Sequence, residues 1–447
     1  MRCPIQIFAL LMFAASLASC GGGGGGNSPP VNPPPPPPPA PAKATVTFLY
    51  DFKPAQGDGG QPNGPLVQAA DGNFYGTTRA GGANQCRPGP DPIPCGVIFK
   101  MTPAGIESVL YNFGSIANDG YTGAGPLIQA QDGALYGLTP NGGAYDGGGT
   151  VFKITVSGTY TQLHSFGGTP DDGVVPLGGL IQATDGNFYG ITASGGENEC
   201  FQIPQAGGNC GTVFKMTPAG VTTIMYSFGT SISDGVTPMA SLIQASDGNF
   251  YGTTANGGAN ACTISNATNN CGTVFKTTPT GETTILYHFG HSINDAIAPL
   301  GALIQGTDGA LYGTTVSGGG GRCGGFFGCG TVFKLTLAGQ LTIVHAFAVD
   351  SREDGYGPSQ YLIQASDGNF YGTTGSGGAA QSDLEGTVFK LTPAGVKTTL
   401  HSFGPLNVNA SNPVGGVIKG NDGAFYGVLA YSDAFAGVGT IYKLVPP

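Results

Sequence analysis

Six aspartates recur at a spacing that would build a ring of carboxylates. Asp58, Asp119, Asp172, Asp234 and Asp295 each stand six residues beyond a phenylalanine, and Asp354 stands seven beyond Phe347. Two chemistries fit. Carboxylates gathered on one face would collect a hard cation such as calcium. Alternatively each oxygen caps its own loop as an Asx-turn. Asn409 occupies the seventh position, and it favours the turn, because Asn keeps that hydrogen bond and discards the charge. No metal ligand set is assigned on this pattern, and calcium is the one cofactor it would admit.

The cysteines point to a different chemistry. Of ten, eight fall in close pairs, Cys86/Cys95, Cys200/Cys210, Cys262/Cys271 and Cys323/Cys329. Zinc would want Cys-x-x-Cys spacing or nearby histidine, and neither is present. An even count paired locally in an exported chain predicts four disulfides, each worth about 2.5–3 kcal/mol for loops of this length. Export is read from the N-terminus. An apolar run from Phe8 to Ala18 leads into Leu17-Ala18-Ser19-Cys20, which resembles the lipobox of bacterial lipoproteins. Residues 1–19 are then a signal peptide and Cys20 carries the lipid. Residues 20–43, six glycines followed by a proline-rich stretch, form a leash that holds a domain off the membrane. Gly21 after the cysteine is compatible with outer-membrane sorting by the same resemblance. The expected location is the bacterial cell envelope, with the membrane touched through the lipid anchor only.

A catalytic set would have to be singular, and the polar residues here are not. Lys100, Lys153, Lys215, Lys276, Lys334, Lys390 and Lys443 occupy one recurring position, which answers a packing or pairing need, with the stem packed and the head at solvent or a carboxylate. His164, His345 and His401 stand two residues before a phenylalanine, where Tyr50, Tyr111, Tyr226 and Tyr287 stand elsewhere. No Ser-His-Asp order, HExxH, P-loop or dinucleotide fingerprint occurs. No catalytic residue is assigned. The residues that do not repeat are the candidates for ligand contact: Arg322, Phe326, Phe327, Glu353, Tyr356, Tyr121 and Glu197, with Glu385 and Tyr145 in equivalent loops.

These residues are positioned by a repeat. Asp-Gly-(Asn/Ala)-(Phe/Leu)-Tyr-Gly begins at Asp71, Asp132, Asp185, Asp247, Asp308, Asp367 and Asp422, at intervals of 53 to 62 residues. Within each repeat run four short β-rich segments, exemplified by LIQA at 242–245, FYGTT at 250–254, TVFKMT at 212–217 and TTIMYSF at 222–228. Asp-Gly supplies a tight hairpin, and Thr217-Pro218-Ala219-Gly220 a second turn. Four antiparallel strands repeated seven times predict an all-β, seven-bladed propeller over residues 44–447. The last repeat stops after its third strand. The segment 46–52 matches the fourth strand at 283–289, so the N-terminal strand completes the last blade and closes the ring. The paired cysteines then lie between second and third strands, on the face shared with the fourth-to-first-strand loops.

The run LIQA-(S/T)DGNFYGTT, GTVF-Lys, TPAG and an LYSFG-like strand resembles the GloVer tandem repeat family across about residues 46–447. That resemblance implies secreted proteins with varied anchors and brings no activity. Repeat seven departs most, with Lys419 for Gln and Val428-Leu429 for Thr-Thr. The chain of 447 residues has 81 Gly, 34 Pro and no Trp, is 40% hydrophobic and carries a net charge of −10. That balance excludes a disordered polyelectrolyte and argues against nucleic-acid binding. The reading is a monomeric, lipid-anchored binding or scaffold module, non-enzymatic, that engages an envelope protein or polysaccharide through its loop-rich face. The alternative is a cell-envelope glycan hydrolase or lyase using non-repeating loop carboxylates such as Glu197 and Glu353, since such work needs two carboxyl groups with split pKa values.

Overall fold

The computed structural model describes residues 44–87, 93–145, 147–169, 171–198, 200, 210–231, 233–264, 267–292, 294–320, 322–323, 326–347, 352–378, 385–404, 411–431 and 438–447. The expected signal peptide, Cys20 and the leash lie outside them. The hairpins form as their sequence demands. In the first, the Asp71 carboxylate accepts the Asn73 N–H at 3.0 Å, and Gly72 turns the chain at φ +80°, a conformation that costs glycine little.

Among the described residues seven antiparallel sheets of four or five strands form the blades, with six two-stranded ribbons beside them. Blade 1 runs outward from the axis through Gly59–Gln68, Phe74–Gly81, Val97–Met101 and Glu107–Asn112. Blade 7 contains Ser411–Lys419, Phe425–Tyr431 and Thr440–Val445, and its outer strand is Thr45–Asp51 from the other end of the chain. The register Thr45↔Val445 to Asp51↔Thr440 is the predicted ring closure. Among the described residues there are no α-helices, and none long and apolar enough to cross a membrane.

The core is divided into seven layers, each between two neighbouring blades. At five interfaces a second-strand tyrosine of one blade lies on the equivalent phenylalanine of the next, and at the other two on Leu135 or Leu311. Tyr189 stacks on Phe250 with centroids 4.1 Å apart, and Tyr426 meets Phe74 at 4.2 Å across the closure. The seventh interface therefore has the same Tyr–Phe contact as four of the other six.

Two rings of hydrogen bonds tie blade to blade. On the hairpin face, the LIQA glutamine reaches the preceding hairpin. Gln129 Oε1 accepts from Ala70 N–H at 2.7 Å, and Gln182, Gln244, Gln305 and Gln364 do likewise for Gln131, Thr184, Ser246 and Thr307. Gln68 accepts from Asn421 at 2.8 Å and completes the circle. Lys419, the departure in repeat seven, keeps the link by donating its Nζ to Ser366 Oγ at 3.0 Å. On the opposite face, the N–H of Gln61, Thr122, Val175, Thr237, Ala298, Gly357 and Asn412 donates to the carbonyl just before the preceding blade's third strand; Thr237 to Cys210 is 2.9 Å. All seven hold φ between +54° and +62°. For β-branched Thr122, Val175 and Thr237 this costs roughly 1–2 kcal/mol each, a cost the surrounding blades enforce.

Blade 7 also carries a flaw that can be tested. Its third strand has Tyr442 where six blades have phenylalanine, and the hydroxyl is buried without a partner among the described residues. Tyr442→Phe is expected to raise stability by about 1 kcal/mol, read as a higher denaturation midpoint. An unchanged or lower midpoint would mean that the hydroxyl is satisfied in solution.

Candidate functional site

Most of the recurring polar side chains are consumed by the scaffold. In six blades the third-strand Lys Nζ lies 2.7–3.2 Å from the hairpin Asp and 5.4–6.0 Å over the second-strand Tyr ring. The Tyr hydroxyl donates to the same Asp, at 2.7 Å for Tyr75 and Asp71. Burial raises the Asp71 pKa, but the Asn73 amide, the Tyr75 hydroxyl and the Lys100 ammonium outweigh it and hold the carboxyl at about 2. Six of the seven lysines are thus pairing residues, and Lys276 acts on Asp247 through its charge.

The six-aspartate ring takes the turn reading. Asp234 accepts from the N–H groups of Gly229 and Thr230 at 2.9 and 3.0 Å, and from Tyr226 Oη at 2.8 Å. Asp58 accepts from Tyr50 and Lys53, Asp119 from Tyr111, Gly114 and Tyr160, and Asp295 from Tyr287 and His291. Asp172 and Asp354 face His164 and His345 at 3.6 and 3.2 Å. The tyrosine-or-histidine slot and the aspartate ring are therefore one device, an outer-strand donor holding the loop into the next blade. Among the described residues no three His, Cys, Asp or Glu side chains converge as a metal site would require.

One carboxyl at these junctions titrates unusually. Burial first, then the Asp58 charge, pushes Glu107 up to about 7, although the Tyr50 hydroxyl pulls the other way. A carboxyl raised above its unfolded value of about 4.3 contributes stability that is complete below that pH and fades as pH rises through 7. Asp71, depressed to about 2, has the opposite sign: its contribution is present above about 4 and lost as pH falls towards 2. Glu107→Gln is accordingly expected to raise Tm at pH 8 and leave it unchanged at pH 4. Equal effects at both pH values would remove this assignment.

Three of the four expected disulfides are seen, Cys86–Cys95, Cys200–Cys210 and Cys262–Cys271, with sequence separations of 9, 10 and 9. Cys329 is disulfide-bonded as well, while the Cys323 side chain lies outside the described residues. Blade 6 has Glu385 where these blades have the second cysteine. It was read from sequence as a loop residue available to a ligand, but the structure buries it completely.

The loop residues expected to bind come from the loops of several blades. The backbone pairs Arg322 with Phe327 and Cys323 with Phe326, but the side chains of Arg322, Phe326 and Phe327 are outside the described set. Glu197 is exposed on blade 3, and Glu353 is exposed before blade 6, where its carbonyl accepts from Thr399 at 2.8 Å. Tyr121 and Tyr356 are half-buried, packed against the layers between blades 1 and 2 and between blades 5 and 6.

What the structure does bring together is the axis. The first strands meet there almost backbone to backbone: a Cβ on Gly64, at φ +85°, would sit 2.8 Å from the Gly125 carbonyl carbon. Above this waist, on the disulfide-loop face, a cavity of about 350 Å³ draws at least one residue from every blade. Its walls include Leu177, Met239, Val316 and Val414, with Arg79, Asn63, Ser359, Gln360 and Tyr361 as the polar members. Burial pushes the Tyr361 phenol up to about 12, tempered by the Ser241 hydroxyl beside it. None of these residues was singled out from sequence. The available signal was position: where blade 1 has Arg79, the other six have Pro140, Ala193, Ala255, Val316, Gly375 and Ala430.

A closed seven-bladed propeller with a shallow axial cavity on its disulfide-loop face is the class these features define. The chain belongs to the Gloeobacter/Verrucomicrobia repeat family, which matches residues 39–264, 205–328 and 261–447. No curated protein matches it. Among solved structures it is similar to the extracellular domain of BT3049 from B. thetaiotaomicron, described as a hybrid two component system, at 11% identity and a TM-score of 0.54, covering 90% of this chain and 41% of that one. BT4673 from the same organism, described in the same terms, gives 11% identity and a TM-score of 0.53 over 91% of this chain and 43% of that one. The chain thus spans about two fifths of these structures, and the likeness establishes the fold.

Proposed function

We propose that this protein is an extracytoplasmic binding module, lipid-anchored at the bacterial envelope through Cys20, that takes its ligand at the axial mouth and does no chemistry on it. The observation that carries the reading is the axial cavity, to which every blade contributes and where Arg79 breaks the sevenfold pattern in charge. Ligand pockets are concave, mostly apolar and furnished with a few placed polar groups, and this one fits that description. Disulfides at the same face support export, as does the use of a similar propeller as an extracellular domain in BT3049 and BT4673. Envelope polysaccharide or protein segments are the ligands that such a location offers, with the loops of blades 3, 5 and 6 as the outer contact.

Gly375 allows a clean test. It lines the cavity, its φ is ordinary, and an added Cβ would meet only the Asn412 Oδ1 at 3.3 Å and the Gly357 carbonyl at 3.7 Å. Val316 already occupies the equivalent place in blade 5. Gly375→Leu should therefore fold normally and fill the mouth. In a calorimetric screen of envelope glycans and peptides, ligands that bind the unaltered protein are expected to be lost by Gly375→Leu. Binding that survives the substitution would move the site to the outer loops. Turnover that vanishes in Glu197→Gln or Glu353→Gln would replace the module with a hydrolase or lyase. The anchor is tested separately by detergent partitioning of Cys20→Ser, which should leave the membrane fraction.

A further inference from the structure

Resting on that axial reading, we infer that the cavity is a receptor site for a small organic monoanion, a carboxylate carried on an apolar body. Arg79 supplies the charge. It is the one cationic residue at its strand position in seven blades, and among the described residues no carboxylate pairs with it. In a chain of net charge −10, a guanidinium left without an acidic partner at the rim of a cavity is placed for an anion from outside.

A second, independent observation points inward. Ser359 lines the same cavity, and its hydroxyl is turned away from solvent with no hydrogen-bond partner among the described residues. A buried hydroxyl without a partner costs free energy that a bound acceptor would recover. Its backbone is fixed, with Ser359 N–H donating to the Thr373 carbonyl at 2.8 Å and the Ser359 carbonyl accepting from Thr314 Oγ1 at 2.9 Å. With the backbone fixed, rotation about χ1 is the motion that would bring the hydroxyl to an acceptor bound in the cavity.

The number of charges selects the anion. A planar guanidinium matches a carboxylate with two parallel hydrogen bonds. One guanidinium neutralises one negative charge, so a phosphate dianion would be left half compensated. The remaining wall is set by Leu177, Met239, Val316 and Val414, which would cover an alkyl or aryl body and offer a sugar ring few partners for its hydroxyls. The volume of about 350 Å³ sits at the small end of ligand pockets, which suits a compact acid and not a polymer.

The probe is para-fluorobenzoate, with para-fluorobenzyl alcohol as its neutral counterpart, followed by fluorine NMR titration of the folded chain. The acid is expected to bind at least about tenfold more tightly than the alcohol. Arg79→Ala should weaken the acid about tenfold and leave the alcohol unchanged, whereas Ser359→Ala should cost the acid a few-fold. Both substitutions leave the backbone ring intact, and a Tm no lower than that of the unaltered protein verifies folding. Failure of the acid to bind, or equal binding of acid and alcohol, or of the acid to Arg79→Ala, overturns the anion site. Gly375→Leu separates that failure from failure of the axial reading. If it abolishes binding of both probes, the cavity remains the site without the anion preference. If both probes bind it unaltered, the axial reading itself is wrong.

Discussion

Deleting residues 44–53 from the folded domain should abolish cooperative unfolding rather than merely lower its midpoint. Those residues provide the outer strand of blade 7, in register from Thr45↔Val445 to Asp51↔Thr440. Without it, Thr440–Val445 becomes an open edge whose backbone groups lose their partners, the known liability of β-sheets. The loss extends into blade 1. Phe52 is 2% exposed and packs edge-on against Phe99 with centroids 5.1 Å apart, and its N–H bonds the Gly439 carbonyl at 3.1 Å. Tyr50 holds Asp58 at 2.7 Å. Removing the Phe52 side chain alone should cost about 3–5 kcal/mol, and losing the whole strand removes the seventh interface. The comparison is a chain beginning at residue 44 against one beginning at residue 54, each melted and followed by near-ultraviolet circular dichroism. A single sharp transition at the same temperature in both would show that the velcro strand is dispensable and that six interfaces suffice.

Lys397 is expected to be the most costly single charge to remove. Its side chain is 5% exposed, with Nζ 2.9 Å from Asp354 Oδ1 and 5.7 and 5.6 Å from the Phe347 and Phe389 ring centroids. Burial pulls its pKa down and Asp354 pushes it back. The same carboxylate also faces His345 at 3.2 Å. Lys397→Ala would leave a half-buried carboxylate short of one cation and open a gap between two aromatic rings. Breaking one side of a buried pair typically costs about 3–5 kcal/mol. The double change Lys397→Met with Asp354→Asn should recover more than half of that, since it removes both charges and refills the space. Denaturant midpoints of the two single variants and the double variant decide it. A loss below about 1 kcal/mol in Lys397→Ala would place the pair among solvent-screened surface bridges.

That contact also shows where reading from sequence stops. The strand position of Lys397 is Glu107, Tyr160, Thr222, Thr283 and Leu341 in other blades, with nothing in common but the slot. In the structure it abuts the preceding blade's capping aspartate, so that Tyr160 reaches Asp119 at 2.9 Å and Lys397 reaches Asp354. The partners lie some 40 residues apart across a blade junction (41 for the first pair, 43 for the second), and no short-range pattern announces them.

The sequence by itself determined the architecture. Hairpins are local: Asp-Gly, Thr-Pro-x-Gly and alternating β-branched residues specify turns and strands within ten residues. Sevenfold repetition then leaves ring closure as the solution that covers the most edges, and the matching strand at 46–52 names the closing piece. Disulfide pairing and the pairing role of the third-strand lysines were legible for the same reason, because each partner lies within one repeat. The tertiary structure alone decided the site. Its cavity is assembled from all seven blades, some giving a single residue, and a glycine such as Gly64 or Gly125 says nothing alone about what stands opposite. Arg79 could have been noticed as the odd member of its column. Only when seven strands converge at the axis does that column become the rim of a cavity, since the void is a property of their sum.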